Sequence, residues 1–198
     1  MRIEAAFDSL TIASQLEGID LQPTRGEIHL LAYLASLLSL YARRGEGASD
    51  WGYSFAATPG GTPFSDSLQV EIDDLMSRGA FTSAGTTVQL TQAGRFLQQT
   101  LSSLDLVQER AAFLDSASST LSALPVGMVR AAFAQDPEAT LAAEHQRSRI
   151  LASQNAMARL YYEFSAVADV LKTAQDSLFA VSVLWLTYLA ERPVTIPR

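Results

Sequence analysis

Three observations predict a mainly α-helical chain with one small β wing. Apolar residues recur at helical spacing through most of the 198 residues. The segment 45–64 holds five of the eleven glycines and two of the seven prolines, and it is followed by a helix-like run and two short β-prone runs. From Asp105 onward the pattern is helical, and it closes on a long seam of apolar residues.

Taken in order, residues 1–22 read as a leader in which Phe7, Leu10, Ile12 and Leu16 can form a short packed helix, ended by Gly18 and Pro23. Thr24-Arg25-Gly26-Glu27 is a capping box and opens a long helix. That helix is apolar over two adjacent faces, through Ile28, Leu31, Leu34 and Leu38, so it is expected to be central and buried. Arg43 and Arg44 suit its C-terminal dipole, and Gly45 stops it. Trp51, Tyr53 and Phe55 alternate with Gly52 and Ser54, which predicts a short strand with one aromatic face.

Thr58-Pro59-Gly60-Gly61-Thr62-Pro63 predicts a rigid turn, and Ser65 an N-cap. Leu68, Ile72, Leu75 and Met76 then mark an amphipathic helix to about Arg78, capped by Gly79. Phe81 and Thr87–Leu90 read as strands about the turn Ser83–Thr86, and Thr91 caps a helix carrying Phe96, Leu97, Leu101 and Leu104. Long helix, strand, helix, two-stranded wing, helix is a winged-helix plan, placed at 1–104. Residues 105–198 form a helical region. Its last part is a heptad seam from Ile150 through Met157, Leu160, Phe164, Val167, Leu171, Leu178, Val181 and Trp185 to Tyr188. Without Gly or Pro between Gln146 and Arg192, this is one long helix or an antiparallel hairpin broken near Thr173–Asp176.

The composition narrows the function. Hydrophobic residues make up 48% and charged residues 18%, and the net charge is −7. This is too apolar for disorder, low enough in charge to suggest a buried interface, and the wrong sign for a free-standing nucleic-acid binder. The absence of cysteine excludes disulfides, cysteine-based zinc sites and thiol chemistry. The acidic start lacks the apolar core of a signal peptide, and the run Leu178–Leu189 is too short to span a bilayer, so a cytoplasmic protein is expected. His29 and His145 have no histidine or carboxylate partner at metal-binding spacing. Gly60-Gly61-Thr62 lacks the lysine of a phosphate loop, and no serine nucleophile motif occurs. No enzyme and no cofactor are expected.

The helix that would enter DNA carries Asp66, Glu71, Asp73 and Asp74 against one Arg78, and the wing residues 83–87 carry no charge. Phosphate repels such a surface, so a protein partner is expected there. The partner-binding candidates are Asp66, Glu71, Asp73, Asp74, Trp51, Tyr53, Phe164 and Trp185, with Arg43 and Arg44 as candidate phosphate contacts.

Gly61-Thr62-Pro63-Phe64-Ser65, Leu68, Leu75, Gly79 and Leu90-Thr91-x-x-Gly94 resemble a group of prokaryotic winged-helix families, departing from their shared pattern by the inserted Thr62. The group includes SocA-like, Panacea-type antitoxin domains and the middle components of ABC-three-component defence systems, among them the Lamassu (LmuC-like) accessory subunits. The resemblance covers about residues 24–100. It implies a non-catalytic subunit beside an SMC/ABC-type ATPase and an effector in antiphage defence, reaching DNA only through that complex and with no membrane role. The alternatives are an antitoxin-like neutraliser of one toxin and a dimeric winged-helix regulator of transcription.

Overall fold

The computed structural model describes residues 2–43, 51–151, 154–171 and 177–191. Its helices are α1 (Ile3–Glu17), α2 (Arg25–Ala42), α3 (Asp66–Ser77), α4 (Gln92–Ser102), α5 (Asp105–Ala123), α6 (Val126–Ala134), α7 (Pro137–Glu144), α8 (Gln154–Leu171) and α9 (Leu178–Glu191). Its strands are β1 (Ala56–Ala57), β2 (Pro63–Phe64), β3 (Phe81–Ala84), β4 (Thr87–Leu90) and β5 (Arg149–Ile150). The protein is therefore mainly helical with small antiparallel sheets, and no described helix is long and apolar enough to cross a membrane.

The predicted leader is a core helix. Ala5, Ala6, Phe7, Leu10, Ile12 and Leu16 are fully buried, because α1 packs against α2, α3, α4 and α5. A helix covered on several sides has no single apolar stripe, so its sequence carries only a weak helical period. The capping box of α2 is formed in both directions. Thr24 Oγ1 accepts from the Glu27 N–H at 3.3 Å, and Glu27 Oε2 accepts from the Thr24 N–H at 2.7 Å.

The predicted aromatic strand lies elsewhere. Residues 51–53 bend, and the strand is β1, three residues beyond Tyr53. The alternation instead tracks burial: Trp51 and Phe55 are buried while Gly52 and Ser54 are exposed. The C-terminal region is not purely helical either. β5 joins the β1–β2 hairpin in the order β2-β1-β5, pairing Ala56 with Ile150 and Ala57 with Arg149. A two-residue strand is too short to show a period of two in sequence.

The β3–β4 hairpin pairs Phe81 with Leu90 through Ala84 with Thr87. Gly85, at φ +66°, takes the first position of its two-residue loop, where hairpin turns need a positive φ. The free side of β4 is covered from the α1–α2 connection: Val88 N–H donates to Pro23 O at 2.7 Å, and Thr24 bridges Thr87.

The Gly79 and Leu90-Thr91-x-x-Gly94 elements form one buckle. Gly79 ends α3 at φ +71° in a Schellman arrangement, with Ala80 N–H donating to Leu75 O and Gly79 N–H to Met76 O. Thr91 Oγ1 accepts from the Gly94 N–H and donates to Gly79 O at 2.7 Å. A Cβ on Gly94 would sit 2.2 Å from Ala80 O, so the glycine lets α4 start directly against the end of α3.

At the far end, α8 and α9 pack on each other as a hairpin. Phe164 stacks on Trp185 at 4.6 Å, which one continuous helix, with about 30 Å between these positions, cannot do. The break between them lies outside the described residues. Along the seam Leu160, Phe164, Val181 and Trp185 are buried, whereas Ile150 and Tyr188 are exposed. The boundary at Leu104–Asp105 falls between α4 and α5, and α5 packs on both α1 and α2, so one hydrophobic cluster runs across it.

Candidate interaction surface

The acidic helix is α3, and the fold separates its four carboxylates. Asp66, Val70 and Asp73 are exposed on successive turns of the helix and form its outer face. Val70 is 68% exposed. Asp73 pairs with Arg25 at 2.8 Å, and Asp74, half-buried, pairs with Arg78 at 2.7 Å. Glu71 does not belong to this surface. It is buried, and its Oε2 accepts from the backbone N–H of Arg2 at 2.7 Å. Glu71 lies one residue before Ile72 and four before Leu75 on the core-facing side, where α1 meets α3.

The aromatic candidates are also internal. Trp51 is buried, and Tyr53, half-buried, points its hydroxyl inward to donate to Asp8 Oδ2 at 2.5 Å. Phe164 and Trp185 are each 1% exposed, covered by Tyr41, Phe133 and one another. Trp51, Phe164 and Trp185 are closed to a partner in this conformation, and Tyr53 is only partly open. Arg43 lies at the end of α2 and pairs with Glu109 at 2.9 Å; Arg44 lies outside the described residues.

The most elaborate polar cluster was not anticipated. Asp8, fully buried on α1, is gripped by Arg110 of α5: Arg110 Nε donates to Oδ1 at 2.9 Å and Nη2 donates to Oδ2. Arg110 Nη1 donates to Trp51 O at 2.9 Å, and its guanidinium lies over the Trp51 ring, 3.7 Å from the centroid. Burial pushes the Asp8 carboxyl above its ordinary range, opposed by the charge and hydrogen bonds of Arg110 and by Tyr53. Burial works against the Arg110 charge too, but Asp8 outweighs it and holds the guanidinium above its usual value. A fork engaged on both carboxylate oxygens is an ion pair, and it locks α1, α5 and the 51–53 bend together. The available signal was a charge on a seam: Val107, Arg110, Leu114 and Ala117 follow heptad spacing, and Asp8 follows Ala5-Ala6-Phe7.

His29 is a satisfied core histidine. Its Nδ1 accepts from the Ser65 N–H at 3.1 Å, which leaves Nε2 as the donor to Gln69 Oε1 at 3.3 Å. Its ring stacks on Phe64 at 4.6 Å, so α2 fixes the start of α3 through one imidazole. Burial lowers its pKa below the ordinary 6.5, with Gln69 and Asp66 pulling the other way. The unfolded chain then binds the proton more readily, so stability rises with pH in this window. The contribution is fully present above pH 6.5 and declines as the pH falls below it. Asp8 and Asp136, both raised by burial, act with the opposite sign above pH 3.8. The comparison is therefore of urea unfolding between wild type and His29→Gln from pH 5 to 7.5. The variant should lose the downward slope toward acid; parallel curves would remove His29 from the pH response.

Among the described residues no group of three or more His, Asp or Glu side chains could hold a metal ion. The arrangement presents one acidic outer face on α3, an uncharged wing, and internal polar locks. The chain matches no family model, no curated protein and no solved structure with which it was compared.

Proposed function

We propose that the chain is a non-catalytic subunit that works through protein–protein contacts. Its N-terminal part is read as a winged helix, in the order α1, the Thr24 bridge, α2, α3 and the β3–β4 wing, with the 51–64 segment inserted before α3. In this reading α3 stands where a DNA reader places its recognition helix.

The observation that carries the reading is the outer face of α3. It offers Asp66, Val70 and Asp73, and the two arginines beside it, Arg25 and Arg78, are tied to Asp73 and Asp74. A DNA reader needs free Arg, Lys, Asn or Gln side chains there. From Gly79 to Leu104 the only charged residue is Arg95, and Glu17 holds it at 2.6 Å. Together with the sequence resemblance, this favours an accessory subunit of an SMC/ABC-type ATPase defence complex, with an effector as the third member. DNA is then met through the ATPase.

Co-expression with such an ATPase and effector from the same gene neighbourhood should yield a stoichiometric complex. The isolated chain should bind duplex DNA weakly and without sequence preference. Tight sequence-specific binding at physiological salt, or a chain that stays monomeric beside those partners, would overturn the reading. Asp66→Asn with Asp73→Asn keeps the helix and removes its outer charge. Partner association should slow and lose salt sensitivity, because such charges act mainly on the on-rate. Association unchanged across ionic strength would move the contact off α3.

A further inference from the structure

The turn from α7 into β5 is fixed at both ends. It is a Schellman arrangement, with Arg147 N–H donating to Ala142 O at 3.1 Å and Gln146 N–H to Ala143 O at 3.3 Å. Gln146 takes the left-handed position at φ +51°, and its side chain donates to Ala143 O at 2.7 Å. Beyond the turn, Arg149 and Ile150 are held on β1. Exposed side chains between these anchors border an open cleft of about 540 Å³, lined among the described residues by His145, Arg147, Ser148 and Arg149. That volume suits a small molecule.

None of these four lining residues is apolar or acidic. Glu138 takes the Nε–H of Arg149 at 2.9 Å, and among the described residues neither the terminal amino groups of Arg149 nor Arg147 form a further ion pair. A single cation after α7 would be explained by the helix dipole. Two guanidinium groups, an imidazole and a hydroxyl around one cleft are a set of donors in search of an anion.

We propose that this turn binds the phosphate group of a small molecule. A phosphate monoester carries about −1.5 to −2 charges at neutral pH and three acceptor oxygens. The Arg147 fork suits two of them, and Arg149 and Ser148 can serve the third. The net charge of −7 disfavours a polynucleotide as the occupant.

The test is calorimetric titration of the full chain with inorganic phosphate and, separately, with a nucleoside 5′-monophosphate. Saturable one-to-one binding of either is expected, and tighter binding of the ester identifies an ester as the source. Arg147→Gln should weaken binding about tenfold or more, the loss of one charge-assisted contact, while the thermal midpoint holds because this side chain is exposed. Arg95→Gln, at a cation paired with Glu17, should leave binding unchanged. Absence of saturable binding at millimolar phosphate, or equal binding by Arg147→Gln, would overturn the proposal. So would a single-stranded oligonucleotide that binds more tightly than either probe with a steep salt slope.

Discussion

Replacing Arg110 by Met should destabilise the protein by about 3–5 kcal/mol, the usual cost of leaving one partner of a buried ion pair alone. This is a large part of the roughly 5–15 kcal/mol that holds a typical domain together. Asp8 is fully buried and depends on Arg110 for both of its carboxylate oxygens, so the variant strands a charge or forces it to take a proton. The Tyr53 hydroxyl would remain as its donor and cannot neutralise it. Asp8→Leu with Arg110→Met removes both charges, and should recover most of the loss because apolar replacements of a buried pair are often neutral. Urea unfolding, read at constant m-value, gives both numbers. A single Arg110→Met variant within about 1 kcal/mol of wild type would mean that the pair is solvated and that α1 and α5 are held by packing alone.

That cluster also marks the limit of what the sequence could tell. Local signals were legible because they are written in a few adjacent residues. The Thr24–Glu27 capping box, the Ser65 and Thr91 N-caps, the Gly79 stop and the strand Thr87–Leu90 appear at their predicted places, while the hairpin turn shrinks from Ser83–Thr86 to Gly85-Thr86 because Ser83 and Ala84 pair with Val88 and Thr87. Signals that need a distant partner were not legible. Asp8 and Arg110 are 102 residues apart, and neither names the other. β5 pairs with β1 across more than ninety residues, through two residues that show no period. The role of α1 was missed because a helix covered on several faces loses the stripe by which amphipathic helices are recognised.

The candidate surface divides in the same way. Glu71 and Asp74 are three residues apart and share a face of α3, but only the fold shows that α1 packs against α3 and that Glu71 is buried. Asp66 and Asp73 stay outside, so the acidic face survives at half the size the sequence suggested. The four cations nearest the functional argument, Arg25, Arg43, Arg78 and Arg95, are each paired with a carboxylate. Counting charges along a chain cannot reveal that. For surface pairs the geometry says more about which groups are available to a ligand than about stability, to which such pairs contribute little.

Phe164→Ala should cost about 3–5 kcal/mol, and should loosen the α8–α9 hairpin before the rest. Phe164 is 1% exposed and stacks on Trp185 at 4.6 Å and on Tyr41 at 5.4 Å, so a single ring joins α8 to α9 and α2. Trp185 carries the contact onward to Phe133 of α6 at 5.8 Å. Polar pairs reinforce the same junction: Trp185 Nε1 donates to Glu163 Oε2 at 3.1 Å, and Arg159 Nη2 donates to Asp136 Oδ2 at 2.7 Å. Asp136 in turn caps α7 through the Glu138 N–H, so α6, α7, α8 and α9 meet at one place. Truncating the ring removes its transfer free energy and leaves a cavity between rings that are held by their own neighbours and cannot close over it. Urea unfolding measures the total, and hydrogen exchange shows where it falls: amides of α8 and α9 should exchange faster, while those of α1 and α2 keep their order. The two readouts separate a core role from a partner-binding one. Full stability with loss of complex assembly would return Phe164 and Trp185 to the interface, with the hairpin opening to expose them. Full stability together with full assembly would mean that the hairpin is held by other contacts.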